Sequence, residues 1–498
     1  TRSRRLRSLI SFVPADRVGH LVAVAVSFAP REVARQLGAD GGDAGDQSVA
    51  ETPLAEVPAH DRRDARPELV AAAVKAEADA RSAARDLGEL EGDLREAALG
   101  FSAKVLGALM SGPLQQAAGV DAPAGRRGMR ATTILSSVGE VSYTRAHVPG
   151  CGSRPRFPAD EALGLVCRCT PAAAKLLCHE AARSQSYLQA SENLALAAGI
   201  AVSSSSIHRL VRTVGPDMEA WALSRTPLRA RPGRDIIVCL QMDMTGVRML
   251  RKYLDGVKGK DGEPKGRQIK CGTLFLMERD DQGRYHKIGG SAVHVISFCD
   301  PVSFSAALEQ ARQKLAVPHG TRLVVVSDGA EWIWNIVSDR FKEAFGIVDF
   351  WHAADHLHEL CEFVLGKGAE AEALFKEWRR KMKVYGADCV IRHFEVLEGS
   401  AEKVAGIGKR LSYFKDHRER MQYRRFRREG WPIGSGAIEG ACKSLIKQRT
   451  DLSGQRWSPD GALDVLWARA LIIDGLHDEY WKEHRNRKGV RRKPAFAA

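Results

Sequence analysis

Three acidic residues, each in a distinctive local sequence, are the strongest candidates for chemistry. Asp243 lies in QMDMTGVRM, Asp328 in VVVSDGAEWIW and Glu439 in WPIGSGAIEGACKSLIKQR. They are separated by 85 and 111 residues, so only a folded sheet with a returning helix could bring them together. Carboxylates are the ligands that Mg²⁺ and Mn²⁺ prefer, and two such ions can stabilise the attacking and leaving oxygens of a phosphodiester reaction. The three acids therefore predict a nuclease-type site for two metal ions.

The sequence around these acids predicts the elements that must position them. The order is β-β-β-α-β-α-β, which is that of the ribonuclease H-like fold, with the first acid ending the first strand, the second following the fourth strand and the third on a late helix. Each acid alone could instead cap a turn or pair with a basic side chain. Apolar runs predict strands, and amphipathic runs predict helices, in the order 235–242, 269–277, 292–299, helix 304–315, 322–327, helix 330–345 and 346–350.

Shifts in composition predict the domain organisation of an α/β protein. The ribonuclease H-like core, a mixed sheet with flanking helices, carries a helical insertion and follows a mainly helical N-terminal region with a β-hairpin. Residues 38–66 are rich in Gly, Asp and Pro and carry few large apolar groups, so this stretch is expected to be a linker. The predicted parts are a poorly ordered N-terminal region and linker at 1–66, a helical DNA-binding region at 67–230, the catalytic core at 231–352 and 431–475, the insertion at 353–430 and a basic tail at 476–498.

Two features of the region before the core are specific enough to place. Alternating residues around Val138 and Gly139 predict the β-hairpin. Further on, a helix, a turn near Gly199, a capping run at Ser203–Ser206 and a second helix resemble a helix-turn-helix. An ordinary αα-hairpin is the alternative, because spacing alone carries no information on base recognition.

The net charge favours a polyanionic partner. Lys and Arg number 75 against 61 acidic residues, which gives +14 and a pI near 9.4, so nucleic acid leads and a membrane surface is second. No apolar run reaches the 18 or so residues that a bilayer span needs. Ten cysteines scattered along the chain are typical of a reducing compartment, so a cytoplasmic, nucleoid-associated protein is expected.

Basic residues near the third acid are candidates to bind DNA. The segment Lys409–Arg428 interleaves aromatic side chains with cations, among them Arg424 and Arg425, and can neutralise phosphates and stack on bases. The alternative is an amphipathic helix with aromatics in the core and solvated arginines; both can hold at once. Further candidates on or just beyond the helix of Glu439 are Lys443, Lys447, Arg449, Arg456 and Trp457, although tryptophan is often a core residue.

A second group of residues could be accessory to the acids. Asp349 and His352 form a short acid-x-x-His element after a strand, and the alternative is that His352 caps or packs against the following helix. His352, Asp355 and His356 have a spacing that can bind zinc, but a metalloprotease would need Glu where Ala353 stands. A second possible zinc site comprises Cys167, Cys169, Cys178 and His179. The spacing of its first two cysteines is too short for the usual zinc motifs, so the cysteines are interpreted as buried thiols.

The motifs together resemble a known family. DGAEWIW, IVDFWHAADHL and GSGAIEGACKSLIKQR followed by SGQRWS are similar to the motifs of bacterial insertion-sequence DDE transposases of the Kra type, over about 131–469. The resemblance implies a metal-dependent transposase, with Asp243, Asp328 and Glu439 as its acidic triad and Mg²⁺ or Mn²⁺ as two ions. Its partners would be transposon ends and target DNA, and it would act as a homo-oligomer on DNA, with no membrane.

The chain departs from the family at two positions. Relatives often carry Cys-x-x-Cys where only Cys151 is present, and often carry Gly where Met244 follows the first acid, which predicts a tighter turn. Two alternative functions are open at this point. One is a ribonuclease H-like nuclease or resolvase without strand transfer, and the other is a transposase remnant that binds DNA but has lost turnover.

Overall fold

The computed structural model describes residues 86–117, 128–147, 157–225, 235–257 and 265–484. All of them belong to one compact unit, Ala59–Ala498. The predicted N-terminal region and linker, most of the predicted basic tail and Cys151 lie outside the described residues.

The region before the sheet begins with a helix packed on a hairpin. Helix α1 spans Leu87–Ser111 and is followed by the short α2, Pro113–Ala117. Strands β1, Met129–Ser136, and β2, Gly139–Ala146, pair antiparallel, so the predicted hairpin is confirmed. Gln115 joins the two parts, because its amide donates to the carbonyl of Thr144 at 2.8 Å.

Helices α3, Pro158–Ala162, and α4, Pro171–Arg183, precede the predicted helix-turn-helix-like segment. There, α5, Tyr187–Asn193, continues as a π-helical stretch, Leu194–Ala198, and ends at Gly199, whose φ of 66° suits glycine. The Ser203 hydroxyl caps α6, Ser204–Ser224. The two helices and their turn are as predicted, and the apolar face of α6 is buried in the core, as an αα-hairpin would have it.

The central sheet is mixed. Its strand order is β5-β4-β3-β7-β8, and β6 also pairs with β4. Strand β3 runs antiparallel to β4 and parallel to β7, which is parallel to β8. This arrangement is consistent with the ribonuclease H-like core expected from the sequence. The strands are β3, Ile236–Arg248; β4, Gly266–Arg279; β5, Tyr285–Lys287; β6, Val293–Ser297; β7, Arg322–Ser327; and β8, Phe345–Val348, with helices α7, Pro301–Gln313, and α8, Glu331–Arg340, before and after β7.

The prediction that Asp243 ends the first strand is wrong. Strand β3 continues beyond it to Arg248, which pairs with Gly266 of β4. The alternation after Asp243 is that of a strand, because Thr245 and Val247 are buried while their neighbours are exposed. No turn therefore exists at Met244 for that side chain to tighten. Strand β7, however, pairs with β3 only as far as Leu240, so Asp243 still lies beyond the end of the parallel pairing.

The predicted insertion consists of helices joined by short connections. After it, a continuous helical segment at 436–450 consists of α14, Gly436–Gly440, a π-helical stretch, Ala441–Lys447, and α15, Gln448–Thr450. The last helices are α16, Pro459–Ile473, and α17, His477–His484. The insertion comprises α9, Phe350–Leu365; α10, Ala369–Tyr385; α11, Ala387–Glu395; α12, Ala401–Asp416; a 3₁₀ turn, Arg418–Met421; and α13, Tyr423–Arg428.

Two large apolar clusters share the sheet. One joins strand residues such as Val324 to α8 and the insertion, including Leu357 and Phe414. The other joins α4 and α6 to α16 and to strand residues such as Ile269. Helices from the predicted DNA-binding region thus share one apolar core with the predicted catalytic core. The boundary predicted at residue 230 does not divide the described residues into two independent cores.

Candidate active site

The register of the sheet brings Asp243 and Asp328 together. Leu240 of β3 pairs with Val325 of β7 in parallel register, and each acid lies three residues further along its strand direction. The backbone N–H of Met242 donates to the Ser327 hydroxyl at 2.9 Å, which holds the two chains together just before the acids. Parallel strands are about 4.8 Å apart, so Asp243 and Asp328 lie side by side just beyond the end of the parallel pairing.

The electrostatics of Asp243 reflect this neighbour. Burial raises the pKa of Asp243 above its ordinary value, the N–H of Met244 at 2.6 Å lowers it, and the Asp328 carboxylate raises it again. The Cys442 thiol, which hydrogen-bonds to Asp243, and the nearby His352 lower it further. Two close, half-buried carboxylates repel each other, and a bound cation would relieve that repulsion.

The turn that carries Asp328 is fixed from two sides. Its carboxylate accepts from the N–H of Ala330 at 3.0 Å, and its carbonyl accepts from the indole N–H of Trp334 at 2.9 Å. From the insertion, His417 Nε2 lies 3.1 Å from the carbonyl of Gly329. The ring of Tyr413 packs so closely on Gly329 that a Cβ there would lie 2.8 Å from the Tyr413 Cζ.

A buried glutamine ties the helix of Glu439 to the strand of Asp243. The Gln241 side chain accepts from the N–H of Ile438 at 3.0 Å and donates to the carbonyl of Gly434 at 3.3 Å, and it is only 2% exposed. Gln241 and Asp243 are two residues apart on β3, so their side chains share one face of the sheet. The residue that follows Ile438 is Glu439, which the tie therefore brings to this face.

The carboxylate of Glu439 is engaged locally. It accepts from the Ser435 hydroxyl at 3.3 Å and lies 3.8 Å from the Lys443 ammonium. Among the residues that the structure describes, no group of three or more His, Cys, Asp or Glu side chains could hold a metal ion. The structure thus brings two aspartates together and the helix of Glu439 beside them, without closing a three-carboxylate cluster. The described histidines and cysteines that were considered as zinc ligands form no such group either.

The donors present suit a hard divalent cation. Carboxylate oxygens are the ligands that Mg²⁺ and Mn²⁺ favour, and Asp243 and Asp328 supply them side by side. For Glu439 to join them, its carboxylate would exchange Lys443 for the cation. Such an exchange involves one exposed ion pair, which contributes less than about 1 kcal/mol.

Asp349 is a structural anchor in the described fold. It is fully buried, and its carboxylate accepts from the N–H groups of Trp351, at 2.6 Å, and His352, at 2.9 Å, which caps α9. Its other oxygen accepts from the N–H of Ser435. The residue that caps this helix is therefore Asp349 and not His352, for which capping was the alternative. The half-buried His352, by contrast, lies near Asp243.

Two residues expected on a DNA surface are in the core instead. Arg449 is 1% exposed, and its guanidinium donates to the carbonyls of Ala181 at 2.9 Å and Gln185 at 3.2 Å. It also lies 5.0 Å from the Tyr187 ring and 4.9 Å from the Trp457 ring. The Trp457 backbone bonds to the end of β3. These interactions assign both residues to packing rather than to DNA contact.

The other DNA-binding candidates are exposed, and the aromatic residues of Lys409–Arg428 are divided from the basic ones. Phe414, Tyr423 and Phe426 are buried, as in the amphipathic alternative, so they are not available to stack on bases. The arginines of α13 face solvent. The exposed candidates are Lys443, Lys447, Arg456, Arg424 and Arg425.

The structure defines an α/β protein whose mixed sheet carries paired carboxylates at one edge. No family model matches the chain, and no curated protein matches it either. Among solved structures, the Drosophila P element transposase strand transfer complex aligns with 64% of this chain and 81% of that chain, at 9% identity and a TM-score of 0.24. Similarity at that level does not establish a shared fold. No helix in the described part of the chain is long and apolar enough to cross a membrane.

Proposed function

We propose that the protein is a DDE transposase of the insertion-sequence type, which binds the ends of its element and catalyses metal-dependent DNA strand cleavage and strand transfer. The observation that carries the proposal is the placement of Asp243 and Asp328 at one level of neighbouring parallel strands. The helix of Glu439 is tied to the same strand by Gln241. The resemblance of the surrounding motifs to Kra-type transposases supports it.

The acids and Lys443 would have different roles in this reaction. Asp243, Asp328 and Glu439 would hold two divalent ions, which supply stabilisation of charge on the attacking and leaving oxygens. Lys443 would exchange its contact with Glu439 for a DNA phosphate, because an ammonium pairs with either anion. No covalent intermediate with the protein is needed, since a water and then a 3′ hydroxyl serve as nucleophiles.

DNA binding is proposed to rest on the exposed cations and on the net charge of +14. Lys443, Lys447 and Arg456 are exposed on or beyond the helix of Glu439, so phosphates bound there would lie beside the acids. Oligomers on paired ends are part of the same proposal. Affinity built on such contacts should fall steeply with salt.

The test is a cleavage and strand-transfer assay on labelled element ends with Mg²⁺, Mn²⁺ or EDTA. Asp243→Asn, Asp328→Asn and Glu439→Gln are each expected to abolish both reactions, because they remove ligands of the metal ions. End binding should change by less than about threefold, since the basic residues that contact phosphates are unchanged. Asp339→Asn, at an exposed position on α8, is the matched control and should stay active. Full activity in any of the three variants would remove that residue from the triad.

A DNA-binding protein without turnover is the second candidate. One observation favours it, namely that Glu439 contacts Lys443 instead of completing a cluster with the aspartates. End binding with no cleavage under any metal condition would select this candidate. Cleavage without strand transfer would instead select a ribonuclease H-like nuclease.

A further inference from the structure

A basic pocket lies in the insertion. It encloses about 600 Å³ between the end of α10, the start of α11 and the segment from the 3₁₀ turn through α13. Glu429 on its wall lies 4.0 Å from Arg322, the first residue of β7, whereas Asp328 follows the last. Another residue of its wall, Arg418, directly follows His417, which contacts the carbonyl of Gly329, so the pocket extends along the insertion from the start of β7 towards the turn of Asp328.

The charge in this pocket is only partly compensated. Four arginines and three acids line it, and two of the acids are engaged, because Asp388 pairs with Arg418 at 2.5 Å and Glu419 accepts from Gln422 at 2.7 Å. The third, Glu429, faces Arg322. Arg424, Arg425 and Arg428 take part in none of the ion pairs between described residues and are exposed.

The local sequence explains why these arginines project outward. In α13, Tyr423 and Phe426 are buried three residues apart and hold one face of the helix on the core. The positions between and after them must then face away from it. The 3₁₀ turn before α13 is anchored as well, since Met421 is buried and the Arg420 guanidinium lies 4.4 Å from the ring of Trp334. The pocket is therefore preformed.

The shape and lining indicate the ligand. Guanidinium groups suit phosphate oxygens, and Tyr385, which is 63% exposed on the opposite wall, offers a ring on which a base can stack. A volume of this size suits one nucleotide that projects from a strand, whereas a duplex presents its phosphates on a convex surface. Arg380 and Lys383 continue from the rim along α10, which suits a polymer more than a free nucleotide.

We propose that this pocket is a second DNA site, which holds an unpaired nucleotide of a single strand while the carboxylate edge holds the reacting phosphodiester. The inference rests on the proposed function for the identity of the polyanion. It adds a contact on the insertion that shares no lining residue with the carboxylate site.

The test measures binding of the full chain to a labelled oligothymidine of about 12 nucleotides, within the usual range of single-strand site sizes, and to a blunt duplex of equal length. Arg425→Ala and Arg428→Ala are each expected to weaken single-strand binding about fivefold or more. Arg427→Ala removes the same charge from an exposed position of the same helix outside the pocket, and should change binding less than twofold. Tyr385→Ala should weaken binding and Tyr385→Phe should restore it, because stacking needs only the ring.

Three results would overturn the inference. The first is an equal loss of single-strand binding in the Arg425 and Arg427 variants, which would indicate diffuse attraction. The second is equal single-strand binding by the two Tyr385 variants. The third is full competition by ATP or inorganic phosphate at the concentration of the oligonucleotide, which would indicate a small-ligand site. Thermal melting of each variant checks that the fold is retained. Loss of cleavage with intact pocket binding would refute the proposed function alone, whereas active enzyme with binding insensitive to Arg425 and Arg428 would refute only this inference.

Discussion

Substituting Gly329 by alanine is expected to disturb the site of Asp328 through Tyr413. The added Cβ would lie 2.8 Å from both the Cζ and the hydroxyl oxygen of Tyr413, and closer still to its Cε2. Ordinary contact begins near 3.4 Å, so one of the two groups must move by more than 0.6 Å. Gly329 does not have a positive φ, so alanine adds no backbone strain and steric contact alone decides the effect.

The magnitude follows from how firmly both groups are held. The hydrogen bonds of Ala330 and Trp334 fix the turn of Asp328, and α12 is packed through the fully buried Phe414. Overpacking of this kind costs about 1–3 kcal/mol of stability. A displacement approaching 1 Å at a reacting group lowers rates by roughly 10- to 100-fold, so activity should fall more than stability suggests.

The assay combines denaturant unfolding with metal-dependent cleavage of labelled element ends. Gly408→Ala is the matched control, because Gly408 lies on the same helix as Tyr413 with open space around its Cβ position; it should be neutral or add about 0.5–1 kcal/mol of stability. Adding Tyr413→Ala to Gly329→Ala should recover part of the loss. Gly329→Ala with wild-type stability and activity, or strictly additive effects in the double variant, would refute the reasoning.

Three further predictions concern other parts of the site. Gln241→Ala should lower the free energy of unfolding by about 1–3 kcal/mol and reduce cleavage, because it removes two hydrogen bonds that hold the helix of Glu439 on β3, at about 0.5–1.5 kcal/mol each; urea denaturation measures it, and an unchanged midpoint would contradict it. Arg449→Lys should cost about 1–3 kcal/mol of stability without altering the salt dependence of DNA binding. Lys447→Ala should leave stability unchanged and alter the salt dependence of DNA binding, and anisotropy titrations at several salt concentrations distinguish the two. In EDTA, Asp243→Asn should raise the melting temperature near neutral pH: the folded pKa of Asp243 lies above 3.8, so stability present below 3.8 is lost as pH rises through the folded pKa, and asparagine avoids that loss. A melting temperature that does not rise near neutral pH would contradict this last prediction.

Local patterns were sufficient to predict most of the sheet, but not how far a strand extends. The buried run before Asp328 is bounded by a glycine, and both its length and its end were predicted. After Asp243, the residues Thr245 and Val247 alternate with exposed neighbours, a signal that could have extended β3. What sustains the strand there is its partner β4, and a local window does not show which segment pairs with it.

The sequence was sufficient to select the candidate acids but not the residues that support them. Asp243, Asp328 and Glu439 stand out by their sequence context, whereas the tie made by Gln241 joins residues 193 and 197 positions apart. Arg449 looked like a DNA contact because arginine is usually exposed. Its burial depends on a carbonyl 268 residues away, and no local pattern encodes that distance. The position of Tyr413 over Gly329 is likewise a product of tertiary packing.

The burial of α16 limits how this molecule can be divided. Most of its residues are buried, and it contacts α4 and α6 as well as β6. A polypeptide expressed from residue 231 onward would lack the helices α4 and α6 that pack on α16 and is expected to aggregate. The shortest autonomously folding piece with the carboxylate edge must start upstream of α4, so any biochemical dissection of DNA binding from catalysis has to rely on point substitutions.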